Sequence, residues 1–136
     1  METVKIDTDI KVMYVTAKSF PDGVLEAHQS LHSKISFTTQ RKYFGISRPE
    51  NNHGIVYRAA AEELKTGEAE EWGYETLTLK KGNYISQTIN DYMKDLESIG
   101  RTFQELLQHP NIDPEGYCVE LYLSDKDVQC MVRLAE

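Results

Sequence analysis

The sequence predicts an α+β fold built from two successive strand–helix–strand–strand units. Three observations predict it. Strand-like and helix-like patterns follow in that order twice along the 136 residues. Two stretches of the first half are answered in the second, in the same order: KYFGIS by GYCVEL, and IVYRAAAE by CMVRLAE. The last two alternating runs, GYCVELYLSD and VQCMVRLAE, are close enough to form a hairpin.

The elements follow in order. KVMYVTAKSF (Lys11 to Phe20) is rich in β-branched and aromatic residues and reads as a strand. PDG (Pro21 to Gly23) turns the chain, and Asp22 is placed to cap the helix after it. Val24, His28, Leu31 and Ile35 recur at helical spacing, with Leu25 widening the stripe. RKYFGIS (Arg41 to Ser47) and GIVYRAAA (Gly54 to Ala61) are two strands, with the polar loop RPENNH between them. AEELKTGEAEE is an acidic connection, read as a solvated charge run.

The second half begins with the strand candidate WGYETLTLKKG (Trp72 to Gly82). Ile89, Met93, Leu96, Ile99, Phe103, Leu106 and Leu107 form a long helical stripe that contains Gly100. HPNIDPEG stops it, and the hairpin closes the chain. The expectation is one domain over 1–136, with halves at about 11–61 and 72–135 and the connection at about 62–71.

Composition narrows the function. Apolar residues make up 40% and charged residues 27%, so a core needs no disulfide or metal staple. The net charge of −7, with no basic cluster, argues against direct nucleic-acid binding. No apolar run is long enough to span a membrane, and METVKIDTDI lacks the marks of a secretion signal. Cys118 and Cys130 are expected on opposite sides of the sheet, unbridged, in a reduced cytoplasmic protein.

Within the hairpin, a tight turn at Asp125 and Lys126 would pair Leu123 with Val128, Leu121 with Cys130, and Val119 with Val132. Glu120 would then face Met131, Cys118 would face Arg133, and Tyr122 would face Gln129. A carboxylate among Met, Tyr and Cys suits a semi-apolar binding wall. It equally suits an exposed position paired diagonally with Arg133. Laying KYFGIS on GYCVEL puts Phe44, Ile46 and Arg48 in the places of Cys118, Glu120 and Tyr122. Both strands are expected to line one shared groove.

The chain resembles the gyrase-inhibitor-like (GyrI-like) family, also described as the AraC-type effector-binding domain. The residues that carry the resemblance are GNY at Gly82 to Tyr84, the helix running into FQELLQHP, and the strand YCVELYL with Glu120. The resemblance implies a duplicated βαββ fold of antiparallel strands, with helices on one face and a ligand groove on the other. It implies an aromatic pocket in which Glu120 meets cationic, lipophilic ligands, with Tyr84 placed by the GNY motif. Phe44, Tyr57, Trp72, Tyr74 and Tyr122 are the aromatics available to it. The related regulators carry a helix-turn-helix DNA reader. Here the duplicated fold takes up the chain, which implies a stand-alone small-molecule binder with a regulatory or sequestration role.

The expected ligand-binding set is Glu120, Tyr122, Met131, Cys118, Phe44, Ile46, Tyr84, Tyr57 and Trp72, with no cofactor and no metal. Three alternatives stay open. Some relatives hydrolyse reactive cyclopropane compounds, and Glu120 with Tyr122, Tyr84 or Tyr57 would be the catalytic candidates. His28 and His32 lie one helical turn apart, a spacing that can hold a metal, whereas His53 and His109 are isolated. A protein partner, as for the gyrase inhibitor, is the third.

Overall fold

In the computed structural model, which describes residues 1–50 and 54–136, alternating β-branched and aromatic runs give eight strands and three α-helices. In chain order these are β1 (Glu2–Ile6), β2 (Ile10–Thr16), α1 (Val24–His32), β3 (Tyr43–Pro49), β4 (Ile55–Glu62) and α2 (Glu68–Trp72). Then come β5 (Glu75–Leu79), β6 (Gly82–Ile89), a 3-10 turn (Tyr92–Lys94), α3 (Glu97–Leu106), β7 (Cys118–Tyr122) and β8 (Val128–Arg133). His53, and part of the loop RPENNH, lie outside the described residues. The fold is α+β, and the strands pair antiparallel.

The strands fall into two compact units. Within Asp9–Leu79 the order is β3-β4-β2-β5. Within the other unit, Met1–Thr8 with Lys80–Glu136, it is β7-β8-β6-β1. The topology is the same in both. A strand, a helix and two strands follow in sequence, and the first strand pairs with the last. The outer strands are exchanged: β1 precedes β2 in the chain but pairs with β6, while β5 precedes β6 but pairs with β2.

Several elements differ from the sequence reading. Residues 2–6, which carry no apolar run, form β1, because β6 offers them a partner edge. The first strand ends at Thr16 rather than Phe20. Gly23, not Asp22, occupies the N-cap of α1, without a side-chain cap. Gly23 is a close-approach position, where a Cβ would come within 2.8 Å of the Ser19 carbonyl oxygen. The long helical stripe breaks in two. Residues 82–89 are strand, and the helix proper begins at Glu97. Ile89 belongs to β6, and Met93, Leu96 and Leu107 are exposed.

The acidic connection is also more than a solvated run. Ala61 and Glu62 end β4. Glu68 is buried, and both its oxygens accept from Arg41 at 3.0 Å. Its Oε1 also accepts the backbone N–H groups of Leu64 and Lys65. These bonds hold its carboxyl down at about 2, with Arg41 as the main cause.

The core of the second unit sets up the site. Ile99, Phe103 and Leu106 of α3 recur at i, i+4 and i+7 and pack on Ile85, Val128, Cys130 and Val132. That face of the β6–β8–β7 sheet is therefore the helix-covered one.

Candidate functional site

Glu120 lies in the middle of β7, and its position depends on the hairpin register. Cα partners are Cys118 with Val132, Glu120 with Cys130, and Tyr122 with Val128. This is one residue away from the pairing expected from the sequence. The turn explains the shift. Asp127 O accepts from both Leu123 N and Ser124 N, and Ser124 Oγ accepts from Lys126 N and Asp127 N. The turn is wider than a two-residue one, and a one-residue change of register turns each partner to the other face. Both faces of β8 carry apolar residues, so the apolar match alone does not select the register.

The consequence is that Glu120 shares a face with Val128, Cys130 and Val132, the helix-covered face of this sheet and not the opposite face on which the ligand groove was expected. It is 8% exposed. The Tyr122 hydroxyl, two residues along the same strand, donates to Oε1 at 2.8 Å. No Lys or Arg forms an ion pair with Glu120 among the described residues. Burial without a countercharge pushes its carboxyl up to about 7, and the Tyr122 bond opposes this.

Three neighbours register the same charge. Cys118 is pushed up to about 11, first by burial and then by Glu120. Cys130 is pushed up to about 12 by burial, Glu120 and Cys118. The Tyr92 hydroxyl is raised by burial, then by Glu120 and Asp125. The Tyr92 ring lies 6.1 Å from the Tyr122 ring at 38°. The 3-10 turn that carries Tyr92 is tied to the β7–β8 turn by Tyr92 N donating to Lys126 O and Asp91 N donating to Asp127 Oδ1. The site is a buried carboxylate with one hydroxyl donor, walled by two tyrosines and two thiols.

The register separates the expected residues. Glu120, Tyr122 and Cys118 come together. Met131 and Tyr84 do not join them: Met131 pairs with Val119, and Tyr84 pairs with Arg133, on the opposite face. The Tyr84 hydroxyl donates to Lys80 O. Arg133 does not pair with Glu120. It donates to Asp113, Glu136 and Lys81 O on the far side of the strand. Gly82, at φ +138°, lies against this guanidinium, where a Cβ would come within 3.0 Å of it. Cys118 and Cys130 share a face, contrary to the expectation, and both are free thiols.

The remaining candidates belong to the unit Asp9–Leu79. Phe44 and Ile46 are fully buried and register with Ala60 and Arg58. That is the opposite face from Tyr43, Gly45 and Ser47, which register with Ala61, Ala59 and Tyr57. Trp72 ends α2, with the Arg41 guanidinium 5.7 Å over its ring.

Tyr57 is buried, its hydroxyl 2.8 Å from His28 Nε2 and its ring stacked on Phe20. Burial, with His32 nearby, brings His28 down to about 4. His32 Nδ1 faces the Ile35 carbonyl instead, so the two rings have separate partners. Among the described residues, no three His, Cys, Asp or Glu side chains are grouped to hold a metal ion. No helix among them is long and apolar enough to cross a membrane.

Sequence reasoning missed Tyr92 and the placing of Cys130 beside Glu120. Tyr92 fell inside the stripe read as helix. Cys130 was hidden by the register. The raised carboxyl of Glu120 has a sequence signal only in outline, as an acidic residue in an otherwise strand-forming apolar run.

No protein-family profile matches the chain, and no curated protein matches it. Solved structures do share its fold. An integron cassette protein from the mobile metagenome of Vibrio cholerae has a TM-score of 0.71 at 10% identity, over 98% of this chain and 94% of that one. The protein SAV2435, in a structure bound to tetraphenylphosphonium, has a TM-score of 0.65 at 10% identity, over 98% and 92%. A hydrolase from Listeria innocua has a TM-score of 0.62 at 14% identity, over 98% and 90%. Each likeness spans nearly the whole of both chains and is one of fold.

Proposed function

We propose that the chain binds small lipophilic cations, as a GyrI-like effector-binding domain does, with Glu120 as the anionic group. One observation carries the reading. Glu120 is a buried carboxylate without a cationic partner among the described residues, on a wall of tyrosines and thiols. Holding an uncompensated charge there is costly, and a cationic ligand removes that cost by supplying the countercharge. The Tyr122 and Tyr92 rings add cation–π attraction. The fold shared with a protein solved with tetraphenylphosphonium supports the same chemistry.

Binding is a proton exchange. A carboxyl near 7 is partly protonated at neutral pH, and the cation displaces the proton. The biological role proposed is sequestration or sensing of such compounds. Thermal shift against tetraphenylphosphonium tests the reading. A rise in Tm for the native protein that vanishes in Glu120→Gln supports it; an equal rise in the variant overturns it.

One observation favours a second reading, hydrolysis of a small reactive compound. The Tyr122 hydroxyl bonds Glu120 at 2.8 Å, and a carboxyl near 7 is suited to general acid–base work. Turnover of a strained electrophile, lost in Glu120→Gln, would promote this reading over simple binding.

A further inference from the structure

We infer that residues 90–96 are a strap over the Glu120 site, which opens to admit the cation and closes with Met93 and Leu96 against it. This rests on the cation-binding reading above and adds the segment that closes the site. Glu120 is 8% exposed, so a ligand reaches its carboxylate only when something beside it moves. Three elements of its own unit lie beside it: β8, α3 and the segment that carries Tyr92. β8 is paired on both sides, with β7 and with β6. α3 is held by Thr102, Phe103 and Leu106, all buried. The segment between Ile89, which ends β6, and Glu97, which begins α3, has no such anchor. Its 3-10 turn contains no buried residue, and only Tyr92 of it packs partly on the core. Displacing this segment exposes the least apolar surface, so it is the part that opens first.

The ties of the strap sit at its two ends. At one end Tyr92 N donates to Lys126 O at 2.9 Å, and Asp91 N donates to Asp127 Oδ1 at 3.1 Å. At the other, Arg101 of α3 donates to Asp95, and both side chains are more than half exposed, where an ion pair holds weakly. Asp91, at φ +53°, marks where the chain bends into the strap. Tyr92 is its inner side, with its ring 6.1 Å from that of Tyr122 and its hydroxyl raised in part by the charge of Glu120. Met93 and Leu96 are 62% and 59% exposed. Leu123, directly after Tyr122, is exposed as well. The strap therefore brings two long apolar side chains to the rim of a carboxylate site, where they are available to cover a lipophilic ligand.

The test uses the full chain and tetraphenylphosphonium, by isothermal titration at about pH 8, where Glu120 is mostly ionised. Because Met93 and Leu96 are exposed, replacing both by Ser should leave the Tm of the ligand-free protein within about 2 °C. It should weaken binding about tenfold, the effect of losing two partly buried apolar contacts with the ligand. Leu107→Ser is the control. Leu107 is exposed too but follows the last residue of α3, a helix length of about 15 Å from the strap, and its loss should leave affinity unchanged. Hydrogen exchange by NMR on the native protein needs no substitution. The amides of Asp91 and Tyr92 should exchange faster than that of Phe103, and saturating tetraphenylphosphonium should slow them at least tenfold. Affinity unchanged in the double variant, or weakened equally by Leu107→Ser, overturns the strap while the cation reading stands. Amides of Asp91 and Tyr92 that bound ligand does not slow overturn it too. If tetraphenylphosphonium fails to bind the native chain, the cation reading falls, and the strap falls with it.

Discussion

Replacing Glu120 by Gln should make the protein more stable at pH 8 relative to pH 4, because the folded state holds the Glu120 proton too tightly. An unfolded glutamate titrates at 4.5, and in the folded protein Glu120 titrates at about 7. Below pH 4.5 both states are protonated, and the position adds no penalty. Between 4.5 and 7 the unfolded chain releases its proton and the folded chain keeps it, so rising pH favours unfolding. Above 7 the penalty levels off. A shift from 4.5 to about 7 corresponds to roughly 3 kcal/mol. Glutamine keeps the shape and accepts the Tyr122 bond but has no charge to bury. Its amide N–H₂ has a cost of its own, and that cost is the same at every pH. The quantity to measure is therefore the change, between about pH 4 and about pH 8, in the stability difference between variant and native protein. Urea unfolding of both proteins at a series of pH values gives it. The expected change is roughly 3 kcal/mol in favour of the variant, or about 10 °C in Tm for a chain of this size. Other groups that titrate in this range are common to both proteins and cancel. A stability difference that stays constant with pH would refute the burial of an uncompensated carboxylate.

The other predictions concern the scaffold. Gly100 lies in α3 with open space where a Cβ would stand, so Gly100→Ala should stabilise by up to about 1 kcal/mol in urea unfolding. Glu68→Ala strands the buried Arg41 guanidinium and the N–H groups of Leu64 and Lys65, and should destabilise by about 3–5 kcal/mol in the same assay. Leu106→Ala empties a fully buried position in the core under α3 and should cost about 2–5 kcal/mol. His28 is brought down to about 4 and stays neutral in the folded state, so the unfolded chain takes up a proton first as pH falls from 6.5. The stability it contributes should be lost between about pH 6.5 and 4, and His28→Gln should flatten that part of the acid limb.

The strand–helix–strand–strand order was legible for the first run, but the strand expected to open the second, Trp72 to Gly82, corresponds to β5, which pairs with β2 in the unit Asp9–Leu79, and β6 opens the second unit instead. The antiparallel hairpin was legible from two alternating runs across a short polar turn. What escaped was set by partners distant in sequence. β1 has little apolar character, and only its pairing with β6 makes it a strand. Ile89, the last residue of β6, lies at helical spacing from Met93 and Leu96, and the stripe from Ile89 to Leu107 absorbed it. Glu68 looked like one more acidic residue in a charged run. Its burial depends on Arg41, 27 positions away. At the site, the identity of Glu120 and its link to Tyr122 were readable, because both follow from two-residue alternation along one strand. Its other neighbours were not. A single extra residue in the turn at Ser124 exchanged Met131 for Cys130 and removed Arg133 from reach.

Proton release on binding tests the role of Glu120 most directly. Calorimetric titration of tetraphenylphosphonium at about pH 6, in buffers of different ionisation enthalpy, counts the protons displaced per cation bound. With Glu120 at about 7, the free protein carries about 0.9 proton on this carboxyl at that pH, and binding should release most of it. Affinity should correspondingly rise about tenfold between pH 6 and pH 8. Glu120→Gln should release none and lose the pH dependence. Binding without proton release, or with the same affinity in the variant, would contradict the assignment of Glu120 as the group that meets the cation.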